Sequence, residues 1–217
     1  METTFFSKRV GLQRAFDAVI LANGQFPSHE VPLGVLHAAD HLVCCDGAAV
    51  DEAEVIIGDG DSVCDKFRSR LIQVDEQDDN DLTKATRYVA ARFGRQGMAV
   101  AYLGCTGGRE DHTLGNLSLM VRYQRELAVR PTMLTDTGWF VVGEGRQTFA
   151  SFPRQQVSIF NFGCTRIESE GLRWNTYAYS ELWQGTLNEA TADGFTLDAD
   201  GRYLVYRTYE AKQPRSF

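Results

Sequence analysis

The sequence predicts an α/β protein in two parts, a doubly wound, mostly parallel sheet followed by a small all-β sandwich. Three observations carry this. Apolar runs of strand length alternate with helical stripes from Asp17 to about Thr135, the stripes stop beyond Gly138, and short β-rich segments divided by Gly and Asp turns follow. The expected division is residues 1–140 and 141–217, with the boundary near 138 to 145.

In the first part the runs are Ala18 to Leu21, Leu42 to Cys45, Val55 to Ile57, Leu71 to Val74, Met98 to Leu103 and Thr132 to Leu134. Unbroken apolar runs suit strands buried on both faces. Leu82, Ala85, Val89 and Phe93 make one helical stripe, closed by Gly94, and Leu114, Leu117 and Val121 make another. In the second part the strand candidates are Trp139 to Val142, Gln147 to Phe149, Val157 to Phe160, Phe195 to Leu197 and Tyr203 to Tyr206. Gly143-Glu144-Gly145, Asp193-Gly194 and Asp200-Gly201 are the turns between them.

Composition narrows the function classes. The 217 residues are 43% hydrophobic, enough for a sizeable core. The net charge of −7, without a basic stripe, argues against nucleic acid or an anionic membrane as partner. Five cysteines, without a CxxC pair, suit reduced thiols and a cytoplasmic setting. No run approaches the roughly 20 apolar residues that cross a bilayer. Met1 to Arg14 lacks the apolar core of a signal peptide and reads as a tail or a first short element. His37 and His41 could pair at a metal on a helix, but no further ligand accompanies them, and surface positions are the expectation. Trp139 and Trp183 are expected to be structural.

Three polar clusters stand where chemistry would sit. Gly58-Asp59-Gly60-Asp61-Ser62 follows the strand run Val55 to Ile57, and ligands of open α/β sheets bind beyond such carboxyl ends. Asp59 and Asp61 project to the same side of extended chain, and two hard oxygen donors suit Mg²⁺ bridging to phosphates. A capped Asp/Gly turn is the plainer alternative, though it needs only one of the two acids. Asp75-Glu76-Gln77-Asp78-Asp79-Asn80-Asp81 precedes the helix at Leu82; capping explains one or two of its acids, a second carboxylate source for one cation explains more, and a solvated acidic loop is the plainer alternative for the run as a whole. Gly104 to His112 leads from a strand through a glycine turn into a helix N-terminus, an anion site to which Arg109 adds a bidentate donor. Here Asp111 could equally be a first-turn acid and His112 an exposed helix residue.

In this order the clusters resemble those of the thiamine pyrophosphokinase family: Asp-x-Asp-Ser after a strand, an acidic run ending Thr-Asp, and Gly-Gly-Arg-x-Asp-His. Ala22-Asn23-Gly24, Asp46-Gly47-Ala48, Gly171-Leu172-Arg173-Trp174-Asn175 and Asn188 extend the likeness over most of the chain. The resemblance implies an α/β nucleotide-binding domain before a β-sandwich. It also implies a homodimer with its site at the subunit interface, and transfer of the diphosphoryl group of ATP to the thiamine hydroxyl, leaving AMP. By resemblance Asp59, Asp61 and Asp81 would hold Mg²⁺, with Asp111 completing the catalytic group. Asn23, Asp46, Arg109 and His112 would line the ATP phosphates, and Gln77, Trp174 and Asn188 would meet thiamine. The general base stays open among Asp111, His112 and another aspartate. Three positions depart from the pattern: Leu187 replaces a common Ser, Asn80 a Thr, and Ala48 a Gly. Two other readings remain at this stage. Asp59-Gly60-Asp61-Ser62-Val63 resembles the haloacid dehalogenase phosphohydrolase motif, and a non-catalytic nucleotide-binding module would keep the fold without the reaction.

Overall fold

The computed structural model describes residues 16–212; the expectation for Met1 to Arg14 falls outside them. The chain divides into two compact units, residues 16–136 and 137–212 within that span.

The first unit is a six-stranded parallel sheet. Its strands are β1 Ala18–Leu21, β2 Leu42–Cys45, β3 Val55–Gly58, β4 Leu71–Gln73, β5 Met98–Leu103 and β6 Val129–Leu134. The order is β6-β5-β1-β2-β3-β4, every neighbouring pair parallel. β1 and β2 are buried along their whole length, as their unbroken apolar runs require. The chain builds outward from β1 to β4, then returns to β5 on the other side of β1. The order therefore reverses between β1 and β5, and loops diverging at such a switch point leave a crevice at the strands' carboxyl ends.

Helices α1 Glu30–His37, α2 Asp81–Phe93 and α3 Glu110–Leu127 complete the unit. α2 follows its stripe, burying Leu82, Ala85 and Val89, and ends on Gly94 at φ +54°. α3 departs from its stripe: Leu114 is exposed, and the buried face is Asn116, Met120, Val121 and Tyr123. The cause is polar, since the Asn116 amide donates to the Cys105 carbonyl (2.9 Å) and turns that face toward the sheet. α1 carries no clear stripe, with Pro32 and Gly34 within its eight residues. His37 ends it and His41 lies beyond it, so the two histidines share no helix; His41 pairs with Glu54 instead.

The second unit is antiparallel throughout. Strands β7 Gly138–Glu144, β9 Gln155–Phe162, β11 Asn188–Glu189 and β13 Arg202–Ala211 form one sheet, in the order β11-β9-β13-β7. Strands β8 Gln147–Ala150, β10 Ile167–Glu170 and β12 Gly194–Ala199 form the other, ordered β10-β12-β8. Val157, Ile159, Tyr203 and Val205 from the first meet Phe149, Ile167, Phe195 and Leu197 from the second in one core. Each such side chain contributes roughly 1.5–3 kcal/mol on burial. Trp139 belongs to the interior, whereas Trp183 is 70% exposed. All five cysteines are free, and only Cys64 is exposed. No helix among the described residues is long and apolar enough to cross a membrane.

Candidate functional site

The site grows from the carboxyl ends of β1, β2, β3 and β5. β2 runs straight into a 3-10 turn, Asp46–Ala48, which carries Asp46 to the sheet's rim. β3 ends at Gly58, and the chain turns at Gly60 with φ +84° between Asp59 and Asp61. Asp46 Oδ2 accepts the Gly60 N–H (3.0 Å) and, at 3.5 Å, that of Ser62. A Cβ on Gly58 would stand 2.6 Å from that of Asp46, so the two strand ends close only around glycine.

Asp46, Asp59 and Asp61 each offer a carboxylate oxygen within 4.8 Å of the others. Asp46 is buried, Asp59 intermediate and Asp61 exposed, a cluster graded from interior to solvent. Burial pushes the Asp46 carboxyl above its ordinary range, while the Asp61 N–H bonded to Asp59 pulls that carboxyl below its own. Asp46 Oδ1 is buried without a hydrogen-bond partner. An unpartnered, buried carboxylate oxygen beside two more acids is what a hard divalent cation relieves, so the donor set fits Mg²⁺.

Asp81 opens α2 and is not one of these three. Its Oδ1 receives the ammonium of Lys84 (3.1 Å), whose side chain is buried, and its charge reaches Asp46. Asn80 caps the helix, Oδ1 accepting the Thr83 N–H (3.0 Å), and its Nδ2 donates to Asn116 Oδ1 (3.3 Å). The acidic run before the helix divides by partner. Asp79 is an ion-pair hub for Arg87 and Arg122, and Glu76 also holds Arg87. Gln77 is exposed, its amide donating to the Asp75 carbonyl (3.3 Å).

At the β1/β5 switch point the Gly24 N–H donates to Gly104 O (2.7 Å) and Gln25 N–H to Thr106 O (2.8 Å). Gly104 and Gly107 both have positive φ, +63° and +77°. The two loops thus lie backbone to backbone beneath a cavity of about 300 Å³, whose lining includes Asn23, Gly24, Asp81, Arg109, His112 and Asn116. Arg109 precedes α3 and forks onto Asp111, Nη2 to Oδ2 at 2.6 Å and Nε to Oδ1 at 3.1 Å. That pair holds the Asp111 carboxyl low. Asp111 and His112 sit in the exposed first turn of α3.

Trp174 and Asn188 belong to the β unit. Trp174 is 48% exposed, and the Arg173 guanidinium lies 5.0 Å over its ring. Asn188 is buried, its amide bonded to the Trp174 backbone.

Sequence reasoning overlooked the carboxylate partnership of Asp46, although the signal existed: Asp46 ends an apolar strand run just as Asp59 does. It also overlooked Lys84 and Asn116, and marked Asn80 only as a departure from the family pattern. No local pattern marks a buried lysine on an otherwise amphipathic helix.

Residues 34–130 match the family model described as thiamin pyrophosphokinase, catalytic domain, and residues 138–206 match thiamin pyrophosphokinase, substrate-binding domain. Similar solved structures include yeast thiamin pyrophosphokinase, at TM-score 0.76 and 16% identity, covering 93% of this chain and 89% of that one. The Candida albicans enzyme aligns at TM-score 0.73 and 12% identity, covering 89% of each chain. The thiamine pyrophosphokinase of Bacillus subtilis aligns at TM-score 0.70 and 16% identity, covering 88% of this chain and 99% of its own. No curated protein matches the chain significantly.

Proposed function

The chain belongs to the thiamin pyrophosphokinase family, and from that premise we propose that it transfers the diphosphoryl group of ATP to the hydroxyl of thiamine in a Mg²⁺-dependent reaction. In the balanced step the hydroxyl oxygen bonds to the β-phosphorus, the bond from that phosphorus to the α-bridging oxygen breaks, and AMP leaves with that oxygen. The hydroxyl proton is released. One observation carries the reading: three carboxylates converge at the sheet's rim, one with a buried, unpartnered oxygen.

Asp59 and Asp61 would hold the cation, with Asp46 as the third donor and Asp81 facing it from α2. When bound, Mg²⁺ neutralises charge developing on phosphoryl oxygens. The protein's part is positioning and electrostatics. Lys84 holds the Asp81 carboxylate in place through its ammonium. Asn23 and the glycine turn offer polar groups and backbone N–H to phosphates, with His112 at the cavity wall. Arg109 adds a guanidinium aimed by Asp111, which, held at low pKa, acts as its orienting partner within the catalytic group.

The nucleotide end is assigned to residues 1–140 and the thiamine end to 141–217, with Gln77 contributing from the first part. Trp174 would stack on the cationic ring of thiamine. A homodimer with its site at the subunit interface completes the proposal; the exposed Tyr177, Leu182 and Trp183 are apolar surface such an interface would cover. Five free cysteines suit a reducing cytoplasm. The family placement leaves no role for a covalent Asp59 of the dehalogenase kind.

The test is direct: thiamine, ATP and Mg²⁺ should yield AMP and thiamine diphosphate in equal amounts. Inorganic phosphate without AMP would refute the assignment. Asp59→Asn and Asp61→Asn should each lower turnover at saturating ATP at least about tenfold, roughly 1.4 kcal/mol of barrier. Near-normal turnover in both would remove them from the cation site.

A further inference from the structure

In the β unit two backbone segments approach as an antiparallel ladder and then part. Leu172 bridges Ala190, and the Arg173 N–H donates to Glu189 O (2.8 Å). The backbone ladder goes no further: the Glu189 N–H turns to Asn188 Oδ1, and Leu187, left-handed at φ +64°, sends its N–H to Ser158 Oγ. The Asn188 side chain supplies the next rung. Its Oδ1 accepts the Trp174 N–H (3.2 Å), and its Nδ2 donates to the Trp174 carbonyl (2.8 Å). Oδ1 also accepts the Glu189 N–H (2.8 Å), so both acceptor sites of the amide oxygen are engaged.

An amide this occupied and this buried is poorly placed to recognise a ligand, but well placed to fix one peptide. The indole beyond that peptide is half exposed and already carries a cation, the Arg173 guanidinium, which Glu189 holds from 3.4 Å. We propose that Asn188 is a positioning residue: through the Trp174 peptide it holds the indole as a platform for a cationic aromatic ring, without touching that ring. This rests on the reading of Trp174 as the thiamine platform.

The test uses the full chain with Trp183→Phe, which leaves Trp174 as the one exposed indole beside the buried Trp139. Asn188→Ala should raise the KM for thiamine about tenfold, the scale of one good cation–π contact, with kcat and the KM for ATP within about twofold. Without any substrate, its time-resolved tryptophan anisotropy should gain a fast local component. Asn188→Asp keeps the acceptor and loses the donor, so it should fall between; it carries both readouts should the alanine variant fail to fold. Unchanged anisotropy in both variants, or an equal rise in the two KM values, overturns the proposal. Trp174→Ala separates the layers: if it leaves the thiamine KM unchanged, the thiamine reading itself fails, while the anisotropy still judges the clamp.

Discussion

Asp46 shows how one atom can define a centre. Its Oδ2 accepts the Gly60 N–H, its buried Oδ1 has no hydrogen-bond partner, and its carboxylate clusters with those of Asp59 and Asp61. Like charges this close cost stability unless a cation or a proton intervenes. Asp46→Asn should therefore raise the melting temperature of the protein in EDTA while abolishing the rise that Mg²⁺ produces in the wild type. Differential scanning fluorimetry with and without Mg²⁺ measures both. A variant that keeps the full Mg²⁺-induced rise would strike Asp46 from the donor set. At this scale the sequence was half legible. Asp59 and Asp61 announced themselves as a pair at a strand end, but Asp46 stands alone in its segment. The structural use of Asp79 could not be read at all, because one of its partners, Arg122, lies 43 residues away.

Among the elements, α2 ties the acids to the glycine turn. Asn80 does two things there: its carbonyl caps the helix and its amide reaches Asn116, which in turn donates to Cys105 O. Asn80→Ala should cost about 1 kcal/mol from the lost cap. Asn80→Asp keeps the cap and loses the donor, so it should cost less in stability yet raise the KM for ATP. Chemical denaturation and steady-state kinetics on the pair distinguish these losses. Equal effects of the two substitutions on both measurements would mean that the Asn116 link has no role in nucleotide binding. The helix itself was plain in the stripe Leu82, Ala85, Val89; α3 was misread by its face because Asn116, a polar residue, is what the sheet receives. Two-residue β11 and the eight-residue α1 are too short for periodicity to register.

For the molecule as a whole, the fold class was legible because periodicity changes once, near Gly138, and buried parallel strands differ in composition from alternating antiparallel ones. The switch point between β1 and β5 was not, since strand order depends on pairing that no local pattern records. The proposed interface site makes a prediction about pairs of chains. Asp59→Ala and Trp174→Ala protomers, each impaired alone at low thiamine, should recover about a quarter of wild-type activity when mixed and re-equilibrated, half the dimers being mixed with one intact site of two. No recovery in mixed dimers, verified by tag pull-down, would place both residues of one site in one protomer.

Four of the five cysteines are sealed in the interior, and the fifth, Cys64, lies at the surface two positions beyond Ser62. Thiol chemistry follows access. The native chain therefore offers a single natural attachment point for a maleimide dye, three residues from the Asp61 carboxylate. Its brightness would report an ion docking at the rim of the sheet without any engineered handle.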